Sequence, residues 1–174
     1  MNSEKTDIII IRGAPGSGKT QTAKCLAGFF LKGIRMEIDN LRSMVISVDW
    51  TNQTEHINVL HLSTKIVYDF IHLGFRPVIV VDTFSGDKVL KYLDDLCQLD
   101  KDLAISVFGL YTTEEELKNR IESRSKEEFK DLNVCNQINE DVQNIEYDFE
   151  FQIDTTGLMP IETANLIINQ LNKQ

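Results

Sequence analysis

The chain has 174 residues, of which 42% are hydrophobic and 26% charged, and its formal net charge is −9. These values are typical of one globular domain, residues 1–174, that can bury a full core. The excess of acids makes a long nucleic acid an unlikely ligand, because proteins that follow a phosphate backbone present basic surfaces.

The sequence also carries information about location. Its first residues are polar, and the apolar run Ile8–Ile11 is too short for a signal peptide or a membrane span. The three cysteines, Cys25, Cys97 and Cys135, are far apart and form no Cys-x-x-Cys pair, so neither a disulfide framework nor a zinc site is indicated. We expect a cytoplasmic protein without a membrane partner.

The first predicted elements are a buried strand, residues 7–12, and a helix, residues 18–32. Between them the sequence has the pattern Gly-x-x-x-x-Gly-Lys-Thr, formed by Gly13, Ala14, Pro15, Gly16, Ser17, Gly18, Lys19 and Thr20. A strand, this pattern and a helix in that order predict a phosphate-binding loop, the P-loop or Walker A motif.

Each residue type in this loop has a physical reason to be there. Glycines allow the backbone N–H groups to turn inward around phosphate oxygens, and the helix N-terminus adds free donors and a positive partial charge. Lys19 can reach the outer phosphates, and the Thr20 hydroxyl is the usual ligand of the nucleotide's Mg²⁺. We therefore expect ATP or GTP with Mg²⁺ at this loop.

The second predicted strand, residues 34–38, ends at Asp39, and a short helix is expected over residues 40–48. Asp39 has three interpretations: a general base for an attacking hydroxyl, a member of the magnesium shell, or the N-cap of the short helix. Arg42 lies one turn further on. It either binds an anionic or polar group of the substrate or is a solvated helix arginine.

A long helix should begin at Asn52, which forms a variant capping box with Glu55, and end at Gly74. The three histidines near it lack metal-ligand spacing and are interpreted as surface or partly packed residues: His56, His61 and His72. The third strand, residues 77–82, ends at Asp82. This carboxylate either binds Mg²⁺ through water or orients the acceptor, or it pairs with Lys19 or accepts backbone N–H groups.

The remaining elements continue the alternation of strands and helices. They are a helix capped by Ser85, a strand over 103–111, a helix beginning with a capping box at Thr113 and Glu116, a polar loop over 125–134, a short helix over 136–145, a strand over 149–154, and a last helix opened by Pro160. This pattern predicts a three-layer α/β sandwich with a five-stranded parallel sheet and right-handed crossovers.

Arg120 and Arg124 are four residues apart, so they share one face of their predicted helix. Arginines over a γ-phosphate stabilise the charge of the transferring group. The alternative is an ordinary ion-paired surface, since acids stand at 114–116 and 127–128. The adjacent polar loop favours the first interpretation, because a lid over about residues 120–135 would close over the nucleotide and exclude water.

These motifs together resemble one group of proteins. Gly13–Thr20 looks like the loop of nucleoside-monophosphate-kinase-like small P-loop kinases. The patterns Ile38–Arg42, Val80–Phe84 and Leu117-x-x-Arg120-x-x-x-Arg124 narrow the resemblance to polynucleotide 5′-hydroxyl kinases, zeta-toxin-like kinases and chloramphenicol phosphotransferases. One departure is Asn40, which stands where a second acid is often found, so the resemblance does not extend to a two-carboxylate metal site at this strand end.

The resemblance implies the P-loop NTPase fold with a small lid, ATP or GTP with Mg²⁺, and phosphoryl transfer to a hydroxyl. It implies Asp39 as general base, Arg42 as a substrate contact, and Arg120 and Arg124 as lid arginines. The main hypothesis is therefore a kinase whose acceptor is a small molecule or nucleotide derivative. The alternatives are a polynucleotide 5′-hydroxyl kinase and a nucleotide-binding regulatory module without catalysis.

Overall fold

The computed structural model describes residues 6–125, 128–145 and 147–173. In these ranges strands and helices alternate as β1 (Ile8–Gly13), α1 (Lys19–Ala27), β2 (Ile34–Glu37), α2 (Ile38–Arg42), α3 (Gln53–His72), β3 (Val78–Val81), α4 (Lys88–Leu99), β4 (Ile105–Tyr111), α5 (Glu114–Glu122), α6 (Leu132–Asn144), β5 (Glu150–Asp154) and α7 (Pro160–Leu171).

The five strands form one parallel sheet in the order β2-β3-β1-β4-β5. The predicted five-stranded parallel sheet is confirmed. The strand that precedes the P-loop is central, since Ile8 pairs with both Val78 of β3 and Ile105 of β4. In an open parallel sheet, ligands bind beyond the carboxyl ends of the strands, so this topology places the loop at the middle of that edge.

Helices cover both faces of the sheet. Alternate residues of β1 point to opposite faces, as the period of two in a strand requires. Ile8 and Ile10 pack into a core formed with α3 and α4, whereas Ile9 and Ile11 pack against α1 and α7. All four side chains are fully buried, which explains why this strand is a continuous apolar run rather than an alternating one.

Two helix starts are as predicted. The Asn52 side chain accepts a hydrogen bond from the Glu55 N–H at 3.0 Å, and the Thr113 hydroxyl accepts one from the Glu116 N–H at 3.4 Å. No helix within the described ranges is long and apolar enough to cross a membrane.

Other boundaries were predicted wrongly. Helix α1 ends at Ala27, where the Gly28 amide bonds to the carbonyls of Cys25 and Leu26, so the prediction of a helix that continues to residue 32 is wrong. Helix α2 begins at Ile38, whose fully buried side chain anchors its first turn. Asp39 therefore lies inside α2, and its interpretation as an N-cap is wrong.

The predicted cap of α4 is also wrong. The residue before the helix is Asp87, and the Ser85 hydroxyl accepts a bond from the Lys88 ammonium instead. Helix α6 begins earlier than expected because the Asp131 side chain accepts the Val134 N–H at 3.2 Å. This cap shortens the predicted polar loop. Residues 126 and 127 of the predicted lid lie outside the described residues.

Candidate active site

The P-loop connects β1 to α1 through residues with positive φ. Gly16 has φ 88° and Gly18 has φ 94°, values that L side chains rarely adopt. A Cβ at Gly16 would also lie 3.0 Å from side-chain carbons of Leu117 and Ile121, so α5 packs directly against the loop. The backbone of the loop is therefore tightly curved and packs against apolar side chains of α5.

The loop residues suit a nucleotide phosphate and its Mg²⁺. The Ser17 hydroxyl oxygen is buried and has no hydrogen-bond partner among the described residues. The Thr20 hydroxyl donates to the Glu37 carboxylate at 3.2 Å, which brings together two oxygen groups of the kind that Mg²⁺ prefers. Within the described ranges, no group of three or more His, Cys, Asp or Glu residues could hold a metal. Thr20 and Glu37 are the candidate residues for holding the Mg²⁺ of a bound nucleotide.

Lys19 begins α1 and folds back over the loop, where its ammonium donates to the Ala14 carbonyl at 2.8 Å. Burial lowers the pKa of Lys19 to about 8, although Asp82 and Asp39 act in the opposite direction. Both carboxylates are thus close enough to act on this ammonium. The structure brings together the predicted lysine and the two predicted acids at the carboxyl end of the sheet.

Asp39 lies in the first turn of α2. Burial by the surrounding protein raises its pKa, the negative charge of Asp82 adds to the effect, and Lys19 and Arg42 oppose it. The side chain of Asp39 is nevertheless exposed to solvent at the protein surface, so a substrate hydroxyl can reach its carboxylate. A reachable carboxylate with a raised pKa is well suited to accept a proton.

Asp82 follows β3 and is buried. Its Oδ2 accepts the Phe84 N–H at 2.9 Å, and its Oδ1 lies 3.1 Å from His56 Nε2. Of the predicted alternatives, the structure therefore shows the bond to a backbone N–H. The interpretation of His56 as a surface or partly packed residue is wrong, because its ring is buried against Asp82. His56 and Asp82 are 26 residues apart in the sequence, so no local pattern indicated that they would form a pair.

Arg42 ends α2 and is buried, so its interpretation as a solvated arginine is wrong. Its guanidinium carbon lies 4.8 Å from the centre of the Trp50 ring, and its Nη2 donates to the Asp49 carbonyl at 3.1 Å. Nη2 also lies 3.8 Å from Glu55 Oε1. Arg42 thus lies beneath an aromatic ring in the segment between α2 and α3.

Glu37 is a site residue that the sequence reasoning missed. It is the last residue of β2, where it contacts the Arg35 guanidinium as well as the Thr20 hydroxyl. The missing second acid at Asn40 therefore has a counterpart two residues before Asp39. The sequence signal was an acidic residue at the end of a strand. It was missed because the second strand was predicted to continue to residue 38, which placed Glu37 within the strand rather than at its end.

Arg120 joins the P-loop to the segment after β5. Its Nη2 donates to the Thr155 carbonyl at 2.8 Å, its Nη1 lies 3.1 Å from the Thr155 hydroxyl and 3.4 Å from the Gly16 carbonyl, and its Nε pairs with Glu116 at 2.8 Å. The Thr155 hydroxyl in turn lies 3.1 Å from the Ser17 carbonyl. In this structure Arg120 connects the P-loop to the segment that follows β5 and so stabilises the position of the loop.

Arg124 bonds within its own segment. It donates to Glu128 Oε1 at 3.0 Å and to the Phe129 carbonyl at 3.0 Å, as the ion-paired alternative predicted. It is nevertheless close enough to Lys19 to contribute to the lowering of that residue's pKa. The two predicted arginines therefore differ: Arg120 contacts the loop backbone, and Arg124 lies within electrostatic reach of the loop lysine.

No protein-family model and no curated protein matches the sequence. Among solved structures, the chain is similar to a tunicamycin resistance protein from Deinococcus radiodurans, at 20% identity over 95% of both chains and a TM-score of 0.67. It is also similar to a gluconokinase from Sinorhizobium meliloti, at 18% identity over 96% of this chain and 94% of that one and a TM-score of 0.63.

A shikimate kinase from Acinetobacter baumannii has a TM-score of 0.64, with 15% identity over 99% of this chain and 96% of that one. These likenesses extend over nearly the full length of each chain. At such low identity they establish the architecture. The chain has the fold of the small P-loop kinases.

Proposed function

We propose that the protein is a kinase that transfers the γ-phosphate of ATP to a hydroxyl of a small molecule or nucleotide derivative. The observation that carries this proposal is the placement of Asp39 and Asp82 within electrostatic reach of the P-loop lysine. A module that only binds a nucleotide needs no reachable carboxylate with a raised pKa beside the transferring phosphate. The kinase fold of the similar structures supports the same reaction class.

The roles follow from the positions of the side chains. Backbone N–H groups of Gly13–Thr20 and the Lys19 ammonium hold the phosphates, and Thr20 with Glu37 would hold Mg²⁺. Bound Mg²⁺ would neutralise charge on the phosphate oxygens. Asp39 accepts the proton of the attacking hydroxyl, which then bonds to phosphorus as the bond to ADP breaks.

The arginines would act on either side of the nucleotide. Arg120 fixes the loop relative to Thr155, and Arg124 would move from its pairing with Glu128 to the γ-phosphate when the lid closes. ATP is the donor in this proposal and GTP is the alternative donor. An acidic chain of charge −9 favours a small acceptor over a polynucleotide 5′ end.

The test is incubation with ATP labelled at the γ-phosphate and a panel of hydroxylated acceptors, with a 5′-hydroxyl oligonucleotide as one member. The kinase proposal predicts label in a small acceptor, formed in equal amount with ADP. Label in the oligonucleotide alone would favour the polynucleotide kinase. Tight nucleotide binding with no transfer to any member would instead favour the regulatory module.

A further inference from the structure

The carboxylate of Asp82 belongs to a residue that lies between the P-loop and α2. The Asp82 N–H donates to the Ile11 carbonyl at 3.3 Å, so Asp82 stands beside the end of β1, where the P-loop begins. On the other side of β3, Val81 is in register with Glu37, the last residue of β2. Because these strands are parallel, Asp82 and the turn of α2 that carries Asp39 leave the same edge of the sheet.

Both oxygens of this carboxylate are held by donors outside the P-loop. Oδ2 accepts the Phe84 N–H at 2.9 Å, and Oδ1 lies 3.1 Å from His56 Nε2. An ionised carboxylate only accepts hydrogen bonds, so we assign a ring proton of His56 to Nε2. Only 2% of the Asp82 side chain and 6% of the His56 side chain are exposed. Water therefore cannot easily replace either partner, and the loss of one would leave a buried polar group unfilled.

The backbone of Phe84 shows that this orientation is imposed by packing. Phe84 has φ 46°, in the left-handed region that residues with a side chain rarely adopt, and its ring is fully buried. The ring lies edge-on to Tyr92 with 5.0 Å between centroids, and the Tyr92 hydroxyl accepts a bond from Ser63 at 3.0 Å. Such a backbone conformation persists only where the surroundings fix it. The turn after β3 is therefore held so that its N–H meets Asp82.

Lys19 is a neighbouring cation that Asp82 does not bind. The Lys19 ammonium donates to the neutral Ala14 carbonyl at 2.8 Å and forms no ion pair with a carboxylate in the described ranges. Asp82 nevertheless raises the pKa of Lys19 more than any other charge does, so the two groups are close enough to interact. Opposite charges in a buried site attract strongly. The donors on both oxygens of Asp82 explain why the carboxylate does not move onto this ammonium.

An ion pair between Asp82 and Lys19 would oppose nucleotide binding. Lys19 is the P-loop side chain that is expected to reach the outer phosphates. If a buried carboxylate held its ammonium, the incoming phosphates would first have to displace that carboxylate. A protein that spends part of its time in such a paired state binds its ligand more weakly by that fraction. A restraint on Asp82 therefore favours binding, and His56 supplies it from α3.

We propose that His56 is a positioning residue of the nucleotide site, whose ring holds Asp82 away from Lys19 and so leaves the lysine ammonium free for the phosphates. This inference rests on the proposed binding of ATP at the P-loop. It does not depend on transfer to an acceptor.

Substitution of His56 tests this role. The measurement is the Kd of a non-hydrolysable ATP analogue with Mg²⁺ by isothermal titration calorimetry. His56→Leu removes the donor, and the Kd should rise about tenfold. His56→Gln should keep the Kd within about twofold of wild type, because its amide nitrogen stands as far along the side chain as Nε2. His56→Asn carries the same amide closer to the backbone, where it cannot reach Asp82, and should weaken binding as His56→Leu does.

A substitution of Asp82 separates the restraint from simple packing. Asp82→Asn removes the charge that would pair with Lys19. If His56 acts through that charge, adding His56→Leu to Asp82→Asn should change the Kd by less than about twofold. His61→Leu is the matched control on the same helix, because His61 also pairs with an aspartate, Asp95 at 3.0 Å, but is exposed. It should leave the Kd unchanged.

The variants distinguish this inference from the proposed function. A wild-type Kd in both His56→Leu and His56→Asn would overturn the inference, and so would an about tenfold loss from His56→Leu that persists in Asp82→Asn. Where His56→Leu does not fold, the comparison of His56→Gln with His56→Asn decides: equal Kd values overturn the inference. No binding of the analogue by wild-type protein would contradict the proposed function and this inference with it. Binding without transfer to any acceptor would contradict the kinase function alone.

Discussion

The lowered pKa of Lys19 predicts that nucleotide affinity falls as the pH rises above neutrality. Burial lowers this pKa from 10.5 to about 8, so Lys19 loses its charge in a range where an ordinary lysine stays protonated. Bound phosphates favour the charged form, and binding to the neutral form must therefore take up a proton. Affinity is full below the pKa of the free protein and declines above it.

The size of the effect follows from the fraction of protonated Lys19. That fraction is about nine-tenths at pH 7 and about one-tenth at pH 9, so the Kd for a non-hydrolysable ATP analogue should rise about tenfold. A lysine with the ordinary pKa of 10.5 would change the Kd by less than about a tenth over the same range.

Isothermal titration calorimetry measures both consequences. The Kd is determined at intervals from pH 7 to pH 9 with Mg²⁺ present, and at pH 8 titrations in buffers of different ionisation enthalpy should show uptake of about half a proton. Lys19→Arg provides the control, since a guanidinium stays charged throughout and its Kd should be independent of pH. A wild-type Kd that is constant within twofold, with no proton uptake, would refute the reasoning.

Three substitutions test the supporting structure. Gly109→Ala tests the buried ion pair between Arg12 and Glu150, in which Arg12 Nη2 donates to Glu150 Oε2 at 2.7 Å. The added Cβ would lie 2.5 Å from Glu150 Oε1 and should displace this carboxylate from Arg12, which lowers the free energy of unfolding in urea by about 3 kcal/mol or more; an unchanged midpoint would contradict the packing. Arg120→Ala removes the bonds to Thr155 and should weaken nucleotide binding by about tenfold and lower the melting temperature. Arg124→Ala should leave the melting temperature unchanged and slow transfer by about 10³-fold; a stability loss equal to that of Arg120→Ala would contradict the distinction between them.

The fold and the donor side of the site could be predicted from the sequence because their signals are local. The run Ile8–Ile11 is buried within a parallel sheet that is covered on both faces, and such strands are continuous apolar runs. The phosphate-binding loop consists of the eight consecutive residues Gly13–Thr20. The presence of Asp39 just after the second strand could also be predicted. Its precise secondary structure could not, because the buried side chain of Ile38 decides where α2 begins.

The acceptor side could not be predicted because it depends on contacts between distant segments. His56 has no local signal for its bond to Asp82, and Lys88 resembles any helix lysine until the fold places it beside Gln53. Glu37 could have been identified from the sequence, since it is the last residue of β2 and stands only two residues before Asp39. The contacts of His56 and Lys88 can be identified only once the order of the strands and the packing of α3 are known.

The central claim is that Asp39 takes the proton of an acceptor hydroxyl during phosphoryl transfer. Its most direct test is single-turnover transfer from labelled ATP by wild-type protein and by Asp39→Asn, with ATP-analogue affinity measured for both. Asparagine keeps the size of the side chain but cannot accept a proton in this way. We predict a nucleotide Kd within about twofold of wild type and a transfer rate lower by about 10²-fold or more. An unchanged transfer rate in Asp39→Asn would contradict the account.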